Sequence, residues 1–277
     1  MNVNPIFKDI LILIKGAGDM ASGVAYRLKR SGFPLIMTEL ATPLMVRQAV
    51  CFGGAVYSGE VEVEGITARR VDTPAEARLL ANTDTIPVLV APKSEIVAIF
   101  RPRVLVDAIM AKANTGTNID DAPLVIALGP GFTAGVDCDA VIETNRGHWL
   151  GRVMYTGQAE PDTKEPGPVK GHGHVADRVL RAPADGHVVA VAKLGDQIKQ
   201  GQLIARVGAQ EVRAPFDGVL RGLVHPAVAV TIGFKIGDLD PRGVTRHCFT
   251  ISDKSLAVAG GVMEAILASD VVRQARP

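Results

Sequence analysis

Long apolar runs are scarce in this sequence of 277 residues. The longest near the start, Ile10 to Ile14, spans five residues. A membrane helix needs roughly 20, and a secretory h-region at least about 7, so neither is expected. Cysteine is scarce too. Cys51, Cys138 and Cys248 form no C-x-x-C pair, which excludes a disulfide framework and suits a cytoplasmic protein. Aromatic residues make up 4%, no basic run occurs, and 30 basic side chains stand against 29 acidic ones. A stacking platform or charged face for nucleic acid is thereby excluded. No Ser-His-Asp set, paired acids or metal cluster stands out. His172 and His174 stand two apart with no third ligand at ligand spacing, and read as part of a polar loop.

What is present is a large apolar fraction, 47%, in a chain long enough for two domains with their own cores. Asp9-Ile-Leu-Ile-Leu-Ile-Lys15 reads as a strand buried on both faces. It runs directly into Gly16-Ala17-Gly18-Asp19-Met20-Ala21 and then a helical pattern with Met20, Val24 and Leu28 on one face. Strand, glycine turn and helix in that order form a dinucleotide-binding fingerprint, with the helix N-terminus offering N–H groups to a pyrophosphate. A second strand, Pro34 to Thr38, ends at Glu39, about the distance at which an acid holds a ribose hydroxyl. Glu39 reads equally as a solvated strand-end acid. Pro43 suits the first turn of a helix that would carry Arg47. The alternating Glu-Val-Glu-Val within residues 52–72 marks a hairpin. Thr73-Pro74-Ala-Glu76 is a helix start.

Further strands are expected at Ile86–Ala91, Val104–Ala108, Leu124–Leu128 and Ala140–Glu143. Their alternation with helical stretches implies a Rossmann-like, doubly wound α/β sheet, whose ligands lie beyond the carboxyl ends of the strands. Asp107 with Lys112 falls at that edge. So do Gly129-Pro130-Gly131-Phe132 and then Arg146 and His148. The Gly129–Phe132 turn reads either as a backbone anion site or as a tight turn with a buried Phe. Arg146 could clamp a phosphate bidentately.

Arg181-Ala-Pro-Ala-Asp185-Gly186 recurs as Arg213-Ala-Pro-Phe-Asp217-Gly218, and Ile198, Gly201 and Ile204 match Val230, Gly233 and Ile236 at the same spacing. Two stacked copies would share one core. The pattern resembles a biotinyl/lipoyl-type barrel-sandwich hybrid, but the hairpin Gly208-Ala-Gln-Glu211 has no lysine, so no covalent lipoyl or biotin is expected. The expected organisation is therefore a Rossmann-like α/β domain over 1–158, a linker over 159–177, and an all-β barrel-sandwich-hybrid module over 178–243. That module would be inserted before a C-terminal helical segment, 244–277, packing on the α/β domain. Within it Ser252 is a helix cap.

Five stretches together carry a family resemblance. They are 16–23 (Gly-Ala-Gly-Asp-Met-Ala-Ser-Gly), 120–135 (with Leu-Gly-Pro-Gly-Phe-Thr-Ala-Gly), 141–148 (Val-Ile-Glu-Thr-Asn-Arg-Gly-His), 181–186 and 248–254 (Cys-Phe-Thr-Ile-Ser-Asp-Lys). On these the chain resembles the YqeB-type accessory family of selenium-dependent molybdenum hydroxylases. Ile109 departs from the basic residue expected after Asp107-Ala108. The resemblance implies a maturation factor rather than a turnover enzyme, handling molybdopterin dinucleotide. Its partners would be a molybdenum hydroxylase apo-enzyme or cofactor-biosynthesis proteins, and a homo-oligomer stays open. The rival readings are an NAD-dependent oxidoreductase with His148 as its acid–base group, and a scaffold with an unoccupied site. Cys51 and Cys248 read as small buried hydrophobes rather than sulfur or selenium relays.

Overall fold

The computed structural model describes residues 4–91, 95–163, 173 and 177–273. Most of the expected 159–177 linker, with His172 and His174, lies outside the described residues. The chain divides into two compact units. Unit 1 takes Met1–Ala41, Phe52–Asp162 and Ile251–Pro277; unit 2 takes Thr42–Cys51 and Thr163–Thr250. The chain thus enters unit 2 twice, and Val244–Thr250, expected in the C-terminal segment, belongs to unit 2.

In unit 1 the elements follow in the order β1 (Ile12–Lys15), α1 (Asp19–Arg30), β2 (Leu35–Glu39), α2 (Ala55–Ser58), β3 (Glu60–Val63) and β4 (Ile66–Val71). Then come α3 (Pro74–Ala81), β5 (Ile86–Val90), α4 (Glu95–Phe100), β6 (Val104–Asp107), β7 (Val125–Leu128) and β8 (Thr133–Ala134). The last are β9 (Ala140–Ile142), β10 (Val153–Met154), β11 (Gly157–Gln158), α5 (Asp253–Ala268) and α6 (Asp270–Arg273). Among the described residues the main sheet has nine strands in the order β10-β9-β7-β6-β1-β2-β5-β4-β3. The inner strands pair in parallel and are buried along their length, β1 showing no exposed residue. Leu13, Ile36, Leu105 and Val125 form one core with Ala77 and Ala81 of α3 and Ile96, Val97 and Phe100 of α4. Strand alternation turns Ile12 and Ile14 to the other face, where α1 and α5 pack. α3 starts at a complete capping box of Thr73 and Glu76, and α5 at Ser252, whose hydroxyl accepts from the Ser255 N–H. Among the described residues, no helix is long and apolar enough to cross a membrane.

Unit 2 holds two four-stranded sheets. One runs Val179–Arg181, Lys235–Asp240, Gly218–Leu223, Gln197–Ile198; the other runs Gln210–Arg213, Leu203–Val207, Gly186–Ala190, Ala229–Val230. All their pairings are antiparallel. The sequence repeat is reciprocal in space. Asp185 Oδ1 accepts from the Ile232 N–H, and its counterpart Asp217 Oδ1 accepts from the Gln200 N–H. Arg181 donates to the Gly233 carbonyl, and Arg213 to the Gly201 carbonyl. Ile198, Val230, Ile204 and Ile236 all lie in the shared core.

The expected fold class, a Rossmann-like doubly wound sheet with a biotinyl/lipoyl-type barrel insert, is corrected on two points. The sheet is mixed, with antiparallel strands at both edges. At one edge Glu64 and Gly65 both take positive φ, the backbone of a two-residue hairpin, and turn β3 back onto β4. At the other, the chain after β9 folds back through Gly151 into β10. The second unit is two separate antiparallel sheets that also draw in Thr42–Cys51, and a biotinyl/lipoyl barrel insertion is not shown. The helix expected from Pro43 is also absent among the described residues. Gln48–Val50 is a single 3-10 turn, and Arg47 is buried, donating to the carbonyls of His247 and Thr250 within unit 2.

Candidate functional site

β1 is followed by Gly16, whose φ of +95° and closeness to the Ala108 carbonyl leave no room for a side chain. A Cβ there would lie 3.0 Å from the Ala108 oxygen. Gly18 is the N-cap of α1. No side chain caps it, and a Cβ built on it would meet nothing within 4 Å. Asp19 and Met20, in the first turn of α1, are half-buried. Ala17 between the glycines is locked in place. Its N–H donates to Glu39 Oε2 at 2.8 Å, and its carbonyl accepts from the Gly53 N–H at 2.9 Å. Glu39 Oε1 accepts from the Leu40 N–H at 2.7 Å. Burial pushes the Glu39 carboxyl above the usual carboxylate range, against the pull of these two hydrogen bonds. Both Glu39 oxygens thus hold the glycine turn and the end of β2.

At the neighbouring end of β6 sits a buried charged group that sequence reasoning missed. Lys15 Nζ donates to Thr117 Oγ1 at 2.5 Å and lies 3.5 Å from Asp107 Oδ2; Thr117 Oγ1 donates to the same oxygen at 2.6 Å. Lys15 and Asp107 are register partners across β1 and β6. The loop that follows carries Met110 and Lys112 at positive φ, a conformation that costs non-glycine residues energy and needs support from packing. Gly131 supplies some of it by lying directly on the Lys112–Ala113 backbone.

Part of the Gly129–Phe132 turn, expected as an anion site or a tight turn with a buried Phe, is engaged in packing. The Gly129 N–H donates to the Ile142 carbonyl, Gly129 abuts the Thr144 hydroxyl, and Phe132 is a core residue at 4% exposure. Beyond β9, Glu143 is buried and accepts from the N–H groups of Asn145 and Glu160. Arg146 makes a bidentate pair, but with Asp253 in the first turn of α5, at 2.7 and 2.8 Å. His148 is exposed. It lines an open cavity of about 420 Å³ with Trp149, Arg152, Glu264 and the chain between them, away from the glycine-turn residues. There the Arg152 guanidinium lies 4.0 Å over the Trp149 ring.

The structure brings the glycine turn together with Lys254, the residue after Asp253. Lys254 is half-buried within electrostatic reach of Asp19, Glu143, Arg146 and Lys112. Burial, then the neighbouring Arg146, holds its pKa below the usual lysine range. The signal for it was a lysine in the first turn of a helix, where the dipole favours acids. Among the described residues, no group of three or more His, Cys, Asp or Glu could hold a metal. All three cysteines are buried. Burial pushes the Cys138 thiol up to about 12, and the Cys248 thiol also rises.

No protein-family model matches the chain. Among solved structures, an aspartoacylase family protein of Mesorhizobium loti is 10% identical, with a TM-score of 0.24 over 77% of this chain and 58% of that one. The ectoine utilization protein EutE of Ruegeria pomeroyi is 13% identical, with a TM-score of 0.22 over 78% and 61%. A succinylglutamate desuccinylase/aspartoacylase of Rhodobacter sphaeroides is 14% identical, with a TM-score of 0.24 over 84% and 85%. At these scores the likenesses bear on neither activity nor ligand. In sequence, the chain is 51% identical over 257 residues to the uncharacterized protein YqeB of Escherichia coli K12, a match that takes in 93% of this chain and 47% of that protein. The chain thus spans about half the length of the curated relative it matches, and over that half the two sequences are similar.

Proposed function

We propose that unit 1 binds a nucleotide-type cofactor at the carboxyl edge of its sheet, and that the protein is an accessory factor in the maturation of selenium-dependent molybdenum hydroxylases. The observation that carries the first half is the start of α1. A 12-residue helix begins at Gly18 without a side-chain cap, beneath open space, on a turn pinned by Glu39 and Gly53. A rigid, uncapped helix N-terminus suits a pyrophosphate, and molybdopterin dinucleotide carries one. The maturation role rests on the sequence resemblance. The oxidoreductase alternative has less support, since Glu39 already holds backbone and His148 faces a different cavity.

The test of binding is native mass spectrometry of protein from its own host. A retained molybdopterin dinucleotide supports the reading, retained NAD favours the rival, and Gly18→Val should abolish either mass. The test of the role is deletion in the host. Loss of molybdenum or selenium from a selenium-dependent hydroxylase is expected, and an enzyme with full activity and metal content would refute it.

A further inference from the structure

The chain between β9 and β10 forms a closed loop over residues 143–152. The Glu143 N–H donates to the Arg152 carbonyl at 3.0 Å, the Gly151 N–H to the Glu143 carbonyl at 2.9 Å, and the Arg152 N–H to the Trp149 carbonyl at 2.9 Å. The loop is also clamped on α5. Gly151 takes a φ of +81°, and a Cβ on it would lie 2.7 Å from the Ala257 carbonyl oxygen. Gly261 in turn abuts the Gly151 carbonyl. The two backbones meet because neither glycine carries a side chain. Ala257, Gly261 and Glu264 share one face of α5, so Glu264 stands next to the clamp and lines the cavity of about 420 Å³ together with the loop.

This rigid loop holds out Trp149, the single tryptophan of the chain, at 47% exposure. The Arg152 guanidinium lies over its ring, and the His148 ring meets it at a right angle, 5.4 Å between ring centres. Arg152 and Glu264 line the same cavity. Among the described residues, neither side chain makes a hydrogen bond or an ion pair, with each other or with anything else. Burial therefore does not explain the indole, and no carboxylate holds the guanidinium over it. Together the groups make a recognition set. An indole under a flat cation is a stacking platform for a planar ring. A free carboxylate at its side has two oxygens to accept from a pair of N–H groups.

We propose that this cavity is a second ligand site, for a planar heterocycle that carries a ring N–H beside an amino group, the edge shared by guanine and the pterins. The ring stacks on the Trp149–Arg152 pair, and Glu264 accepts from the ring N–H and the amino group. Adenine would turn a ring nitrogen lone pair toward the Glu264 carboxylate and is disfavoured. All the lining residues belong to unit 1 and none is part of the glycine turn, so the site does not depend on the nucleotide proposed there.

The test is isothermal titration of the full chain with guanosine, inosine, adenosine and neopterin. None of them carries phosphate, so an anion site at α1 does not enter. Quenching of Trp149 emission, the one tryptophan signal of the chain, should track binding. Guanosine should bind about tenfold or more tightly than adenosine, with inosine, which lacks the amino group, between them. Neopterin binding more tightly than guanosine would assign the edge to a pterin, and binding more weakly to a guanine nucleotide; either supports the site. Glu264→Gln should abolish the roughly tenfold discrimination against adenosine, and Trp149→Ala should weaken every ligand by about tenfold or more. Both side chains are exposed, so circular dichroism should show each variant folded. Adenosine binding as tightly as guanosine, or discrimination that survives Glu264→Gln, would overturn the recognition of that edge. Failure of all four ligands to bind, or binding untouched by Trp149→Ala, would overturn the site itself and leave the reading at α1 standing.

Discussion

Lys29 offers a clean test of the packing in unit 1. It lies on α1 at 3% exposure, with Nζ donating to the carbonyl of Ala81, the last residue of α3, at 3.1 Å. The partial negative charge of that helix end and the nearby Asp84 favour its ammonium, but burial outweighs them and lowers its pKa from 10.5 to about 8. Below pH 8 both folded and unfolded chains hold the proton. Between about 8 and 10.5 the unfolded chain holds a proton that the folded chain has lost, so stability rises with pH across that window and levels off above it. At about 1.4 kcal/mol per tenfold change in proton affinity, the rise is on the order of 3 kcal/mol. Lys29→Met keeps the stem and removes the charge, so it should lack this rise and should be no less stable than wild type at pH 7. Urea unfolding followed by circular dichroism from pH 7 to 10.5 measures both proteins, and the difference between them cancels the titration of other groups. Wild-type stability should gain on the variant by the stated amount. A flat or falling difference would refute the account of Lys29.

Three further outcomes are expected. Asp107→Ala leaves Lys15 buried without its carboxylate and should cost about 3–5 kcal/mol in chemical denaturation; a loss below about 1 kcal/mol would mean water reaches Lys15. Gly261→Ala puts a methyl group into the Gly151 carbonyl oxygen and should destabilise by about 1–3 kcal/mol, whereas Gly260→Ala, which meets nothing within 4 Å, should not. Cys138, with its thiol pushed up to about 12, should resist iodoacetamide at pH 8 in the folded protein and react once urea unfolds it, as peptide mass mapping can show.

What could be read in the sequence was what local chemistry decides. The run from Ile12 into Gly16 and α1, the Thr73–Glu76 box and the Ser252 cap each follow from a few adjacent residues. The 32-residue repeat was visible because the same side chains must make the same reciprocal bonds. The site was less legible. Phe132 and Arg146 lie where glycine turns and strand ends put them, but burial claims the first and Asp253 the second. Arg47 was expected on a helix of the α/β domain, yet its partners are some 200 residues further along. Lys15 and Lys254 are ordinary lysines in sequence. Only burial and the charges of residues far along the chain set them apart.

The seam between α1 and α5 also has a consequence in time. The Ser255–Asp19 hydrogen bond joins residues 236 apart, with all of unit 2 made in between. At ribosomal speeds of about 5–20 residues per second, α1 emerges roughly 10–50 s before the helix that packs on it. During that interval Asp19, Gly23 and Ser31 still lack their partners on α5, and the nine-stranded sheet lacks one of its helices. Unit 1 therefore has to finish folding after unit 2 has been synthesised, and the nascent chain holds α1 without its neighbouring helix for the whole of that wait.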